Sequence, residues 1–111
     1  MTQPYGIYQV KPEYLQLYGF RALEYIRRDR PGRRGLPREA WRLVYVLETE
    51  QERSLDWLYV LFNGGGEAWP PGFTGRSMSV SDIIEKPDGT LWFCDSFGWE
   101  EVRWAPEEAE A

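Results

Sequence analysis

Apolar positions along this chain follow two spacings. Tyr5 to Lys11 (YGIYQVK) is rich in β-forming residues and stops at Pro12, which predicts a first strand. Phe20, Leu23 and Ile26 fall at i, i+3 and i+6, one helical face, and Pro31-Gly32 ends the run, so a short helix is predicted over Phe20 to Arg28. Trp41 to Glu48 (WRLVYVLE) carries apolar residues on both faces, the pattern of a strand central in a sheet. Ser54 is placed to cap a second helix. Asp56 then lies in its first turn, Leu55, Leu58, Tyr59 and Phe62 form its stripe, and Asn63-Gly64 supplies its stop. The glycine- and proline-rich stretch from Gly64 to Gly75 reads as a loop around Trp69. Ser79 to Glu85 reads as a strand, Lys86-Pro87-Asp88-Gly89 as a turn, and Leu91 to Asp95 as the returning partner. Ser96-Phe97-Gly98 makes a second tight connection into a last short strand, Trp99 to Trp104.

The predicted order is β-α-β-α-β-β-β. This is an α+β fold, expected as a small, mainly antiparallel sheet with two helices packed on one face. The 111 residues suit one domain. That domain is expected over residues 1–105, with an exposed arginine-rich loop at about 29–40 and a frayed acidic tail at 106–111. Six Trp, seven Tyr and five Phe supply ample apolar surface for its core.

Composition removes several function classes. Histidine is absent, which excludes His-based triads, His metal sites and His general bases. The single cysteine, Cys94, has no partner for an internal disulfide, and reads as a small buried hydrophobe in a reducing compartment. No apolar run approaches 18 residues, and the start Met-Thr-Gln-Pro-Tyr lacks the features of a signal peptide. No membrane association is therefore expected, and the expected location is cytoplasmic. Charge is unevenly placed. Arg27, Arg28, Arg30, Arg33, Arg34, Arg38 and Arg42 stand against Asp29 and Glu39, a local charge of +5 in a chain of net −5. Such a loop either binds phosphate, nucleic acid or an acidic protein surface, or simply offsets an acidic body.

The densest polar set is Ser77, Ser79, Ser81 and Asp82. In a strand, alternation places the three serines on one face, a polar groove in which Arg76 or Asp82 fixes a ligand. The same residues also suit a turn in which Ser and Asp side chains bond backbone groups. A nucleophilic serine needs a base, and Lys11 and Lys86 are the only lysines. Asp82 with Asp95 makes a poor metal site without further ligands. Gly64-Gly65-Gly66 lacks phosphate-loop spacing and follows a helix, so it reads as a connector. Asp95 and Ser96 suit a turn closed on backbone amides, with Gly98 at positive φ and with Phe97 and Trp99 anchoring the last strand. No catalytic, cofactor-binding or metal residue is assigned, and no cofactor is expected. Trp and Arg dominate binding interfaces. The candidate partner-binding residues are therefore Trp69 with Phe73, Trp99 with Trp104, and Arg30, Arg33, Arg34 and Arg76. Packing within the core or as a lid is the competing role for the aromatics.

The segment Phe73 to Ile84 (FTGRSMSVSDII), Asp88-Gly89, and Cys94 to Trp99 (CDSFGW) together resemble the YodL-like domain family. Its members show F-x-G-x-S-[LM]-S-V-S-D-[IV]-[IV], a variable turn, and a strand ending in D-S-F-G-[FW]. Ile7 to Lys11 (IYQVK) is similar to the family's opening I-Y-Q-[LV]-K, and Leu43 to Tyr45 with Leu55 to Asn63 (LDWLYVLFN) to its second strand and helix. The resemblance covers Gly6 to Val102. It departs in the arginine loop, in Gly64 to Pro71 and at Cys94, so roles for those features are not inherited.

The resemblance implies a small accessory protein of bacterial plasmids, conjugative elements or phages, with no established catalytic set. The function expected first is a non-enzymatic bacterial module that binds and modulates another protein. By analogy of setting alone, this extends to an inhibitor of a host or defence protein, in the manner of an anti-CRISPR. The second expectation is a nucleic-acid-associated protein using Arg27 to Arg42. The third is an enzyme using the Ser77 to Asp82 segment and Asp95.

Overall fold

The computed structural model describes residues 2–64 and 69–106. Two expectations therefore fall partly outside it: the Gly64-Gly65-Gly66 connector beyond Gly64, and the acidic tail beyond Pro106.

Five strands form one sheet: β1 (Gln3–Val10), β2 (Trp41–Thr49), β3 (Ile83–Glu85), β4 (Leu91–Cys94) and β5 (Trp99–Val102). Their spatial order is β2-β1-β3-β4-β5, and every neighbouring pair is antiparallel. Three short helices accompany them: α1 (Leu15–Tyr18), α2 (Leu23–Arg28) and α3 (Leu55–Leu61). The α+β class and the mainly antiparallel sheet are as the sequence predicts.

The helices, however, do not share a face. Tyr8, Val10, Ile83 and Phe93 pack with Leu23 and Ile26 of α2, whereas Tyr5, Ile7 and Ile84 pack with Leu58 of α3 and with Phe62 at its C-terminal end. Successive strand residues point to opposite sides. Ile7 beside Tyr8 and Ile83 beside Ile84 thus make β1 and β3 apolar on both sides, and each side needs its own cover. The sheet lies between α2 and α3.

Three further expectations are corrected. The Trp41 to Glu48 strand is not central: β2 pairs with β1 alone and forms an edge, leaving Leu43 44% and Val46 47% exposed. Its apolar character has a local cause. Trp41 is buried at one end, and Val44, Tyr45 and Leu47 lean on the α3 cluster. Pairing shifts between Ile7 and Tyr8, whose partners are Tyr45 and Leu43, so Val44 is an extra residue that bulges the exposed edge. The helix predicted over Phe20 to Arg28 shortens to α2 because Phe20 sits at φ 59, outside helical space, and α1 precedes it as a separate, unpredicted turn of helix. The predicted strand from Ser79 shrinks to Ile83–Glu85. Asp82 N donates back to Ser79 O and Ser81 adopts φ 88, so the preceding residues form a turn.

Elsewhere the local chemistry acts as read. Ser54 Oγ accepts from Trp57 N at 3.0 Å and caps α3. Gly89, at φ 90, donates to Lys86 O and closes the β3–β4 hairpin. No helix among the described residues is long and apolar enough to cross a membrane.

Candidate functional site

The polar segment that suggested a ligand groove is instead an internal hub. Gln9 leaves β1 into the interior, where its Nε2 donates to Arg76 O at 2.8 Å and Asp82 Oδ2 at 3.1 Å, and its Oε1 accepts from Arg76 N at 3.0 Å. Asp82 Oδ2 also accepts from Ser79 N at 3.0 Å. Ser81 Oγ accepts from Phe20 N, and Ser81 O from Trp41 Nε1 at 2.8 Å. Asp95 Oδ1 accepts from Leu23 N at 3.1 Å, so a side chain after β4 satisfies an amide at the start of α2.

The bonds to Ser81 and Asp82 tie β1, β2 and the α1–α2 break to one turn, and Asp95 ties α2 to the turn after β4. The three serines do not share a strand face: Ser77 is exposed, Ser79 half-buried and Ser81 buried. Asp82 is almost wholly buried, and that burial pushes its carboxyl up to about 7 despite the bonds from Ser79 and Gln9 and the charge of Arg76. Burial likewise pushes the Cys94 thiol up to about 12, which keeps it protonated and a poor nucleophile. Among the described residues, no group of three acidic or cysteine side chains is placed to hold a metal.

The arginine loop is an exposed turn with a fixed exit. Leu36 N donates to Arg103 O at 2.8 Å and Ala105 N to Leu36 O at 2.7 Å, which clasps the loop to the chain beyond β5. Gly35 permits this approach. It sits at φ +77, and a Cβ there would lie 2.7 Å from Ala105 N. Gly32 has the same φ but open space around it. Gly35→Ala is expected to cost about 1–2 kcal/mol from the left-handed backbone alone, plus the loss of the clasp. Hydrogen exchange at the Leu36 amide should accelerate in Gly35→Ala and not in Gly32→Ala; equal protection in both would refute the clasp.

A cavity of about 410 Å³ opens between this loop, α2 and β5. Leu23, Ile26, Leu36 and Val102, all buried, form its apolar floor. Arg27, Arg30, Arg33 and Arg103 line it, with Glu101 the one acid among the described lining residues. Arg27 is engaged by Glu100 at 3.0 Å. The expected partner residues Arg30 and Arg33 thus come together here, and neither was linked to Arg103 by sequence. Arg34 is exposed and is not among the lining residues.

The aromatic candidates separate. Trp69 stacks on Phe73 with ring centres 6.0 Å apart, as a pair exposed mainly through Trp69, while Phe73 packs edge-on against Phe62 and Tyr45. Arg76 is half-buried, its Nη2 donating to Val10 O at 3.1 Å and its guanidinium lying over Phe20. Trp99 and Trp104 do not form one patch. Trp99 packs on the α3 side, its indole N–H donating to Asp56 at 3.2 Å. Trp104 packs on the α2 side against Tyr8 and Trp41, with Arg38 over its ring.

One side chain reverses its expected role. Phe97, expected to anchor the last strand, is 97% exposed. Asp95 N donates to Gly98 O at 2.9 Å, so Asp95 to Gly98 form a tight turn with Gly98 at φ 84 and Phe97 at its tip. The turn length and Gly98 were the signal available in the sequence. A depression of about 230 Å³ lies beside this turn, lined by Tyr59 and Trp99 among others, so the Phe97 turn and α3 share a surface. Trp57 and Val60, at i and i+3 on α3, are exposed too.

The sequence model of the YodL-like domain matches residues 4–104. The chain belongs to the YodL-like domain family. No curated protein and no solved structure matches it. The match spans the sheet from Pro4 onward, the hub, the arginine loop and the Phe97 turn. The blocks by which this YodL-like domain resembles its family are accounted for mainly by architecture. Gln9, Ser81, Asp82 and Asp95 spend side-chain polar groups on the fold, and Phe97, at 97%, is the most exposed large apolar side chain of these blocks.

Proposed function

We propose that this YodL-like domain is a non-enzymatic bacterial module that binds and modulates another protein, with Phe97 as the central anchor. The modulation we envisage is inhibition of a host or defence protein, by analogy with mobile-element accessory proteins. The observation that carries the reading is the 97% exposure of Phe97 on a hydrogen-bonded four-residue turn. An aromatic ring held in water by a hydrogen-bonded turn loses little conformational freedom on docking. Burying such a ring contributes about 1.5–3 kcal/mol. Tyr59 of α3 lines the depression beside the same turn, Trp57 and Val60 are exposed on that helix, and Trp and Tyr are frequent interface anchors.

The test is affinity capture from nuclease-treated bacterial lysate, with the parent and Phe97→Ser run in parallel. One stoichiometric protein is expected on the parent. Its affinity for Phe97→Ser should fall about 10- to 150-fold, at unchanged thermal stability because Phe97 supports no core. Equal retention by both chains would refute the Phe97-centred surface. Loss of all captured material on nuclease treatment would replace the reading with a nucleic-acid one through Arg27 to Arg42.

A further inference from the structure

The cavity beneath the arginine loop lies on the α2 side, across the sheet from the proposed protein-binding surface, and nothing in that proposal uses it. Its composition is unusual for a surface hollow of a chain with net charge −5. The floor is core side chains, and among the described residues the rim gathers four arginines against Glu101. Arg27 is already paired with Glu100, and that pair is exposed, so it is worth little energetically. Arg30 is different. It is half-buried, and its Nε is shielded from solvent without a hydrogen-bond acceptor among the described residues. A buried guanidinium N–H without an acceptor costs free energy that an incoming anion recovers.

We propose that this cavity is a binding site for a phosphate monoester carried on a compact apolar body. Its volume of about 410 Å³ is in the range of small-molecule sites. Guanidinium groups present paired N–H donors that match phosphate oxygens, and they stay charged throughout the physiological range. A dianionic phosphate fits an excess of arginine better than a single carboxylate does. The apolar floor, Leu36 included, then covers the organic portion, and this distinguishes the ligand from free phosphate. A long polyanion is disfavoured, because the arginines are gathered at one hollow while the rest of the chain is acidic and repels it.

Calorimetric titration of the full chain with phenyl phosphate, inorganic phosphate and phenol tests the site. Phenyl phosphate is expected to bind at least about tenfold more tightly than either fragment, because charge and apolar contacts act together. Arg30→Gln should weaken phenyl phosphate about tenfold or more. Arg103→Gln, at an exposed position with no core role, should weaken it in the same direction and covers the case in which Arg30→Gln unfolds. No binding of phenyl phosphate, inorganic phosphate binding equally well, or parental affinity in Arg103→Gln would each overturn the proposal. Tighter binding of a short single-stranded oligonucleotide, with affinity falling steeply in salt, would overturn it in favour of a nucleic-acid surface.

Discussion

Trp41→Ala is expected to remove about 3–5 kcal/mol of stability, enough to leave much of the population unfolded if the domain sits near the low end of the ordinary range of about 5–15 kcal/mol. Trp41 is fully buried where β2 begins, opposite Val10. Its ring stacks on Tyr18 at 5.5 Å and lies 6.0 Å from Trp104, so it joins α1, the sheet and the chain beyond β5. Truncation leaves a cavity among rings that are held from three directions and collapse poorly. It also strips the acceptor Ser81 O of its indole donor, inside the turn that carries the hub. Trp41→Phe separates the two effects. It keeps most of the packing, loses the N–H, and should cost about 1–3 kcal/mol. Urea unfolding of the three chains reads both values. A loss below about 1.5 kcal/mol in Trp41→Ala would mean that the ring is not the junction described.

The sequence made local chemistry legible and left the coverage of surfaces open. Ser54, the Lys86 to Gly89 turn and the antiparallel hairpins follow from short-range rules, and the structure reproduces them. Alternation told which side chains share a face of a strand, but not what lies over that face. The pair Ile83-Ile84 was read as part of one strand, although it also records that both sides of that strand are buried. WRLVYVLE looks central by pattern and is an edge, because its apolar residues are consumed by a buried end and by contacts with α3. The break at Phe20 was invisible to periodicity. Its positive φ is held by a bond to Ser81, 61 residues away in sequence. The candidate sites show the same limit. Arg30 and Arg33 were visible as charge, but Arg103 joins them only because Leu36 pairs beside Trp104. Trp104 was grouped with Trp99 by proximity in sequence, and the sheet separates them. Phe97 is expected from the sequence to anchor the last strand beside Trp99, and the structure turns it outward. The turn geometry, not the residue type, decides its exposure.

The carboxyl of Asp82 should give this domain a stability that falls as pH rises through neutrality, opposite to the usual effect of a salt-bridged carboxylate. In the unfolded chain Asp82 ionises near 3.8, and in the folded domain burial raises this to about 7. Below about pH 4 it is protonated in both states and contributes no difference. Between those values the folded state holds a proton that the unfolded chain has released, so raising the pH favours unfolding. Above about pH 7 both states are ionised and the penalty is complete. At about 1.4 kcal/mol per tenfold in proton affinity, it amounts to roughly 4 kcal/mol by pH 8. Other carboxylates titrate over the acidic part of this window, so the effect is isolated by difference. Asp82→Asn cannot ionise, yet its amide oxygen still accepts from Ser79 N and Gln9 Nε2 in the arrangement that holds the hub. At pH 4 the substitution should cost about 1–2 kcal/mol, because the new amide N–H group is buried without an assigned acceptor. The difference should then shift in favour of Asp82→Asn as pH rises, so that at pH 8 the variant is the more stable chain by roughly 2–3 kcal/mol. Urea midpoints of both chains at pH 4, 6 and 8 decide the matter. A difference that stays constant across that series would show that Asp82 ionises in the folded domain as it does in the unfolded chain. The hub would then be held by a carboxylate throughout, with the Arg76 charge offsetting its burial.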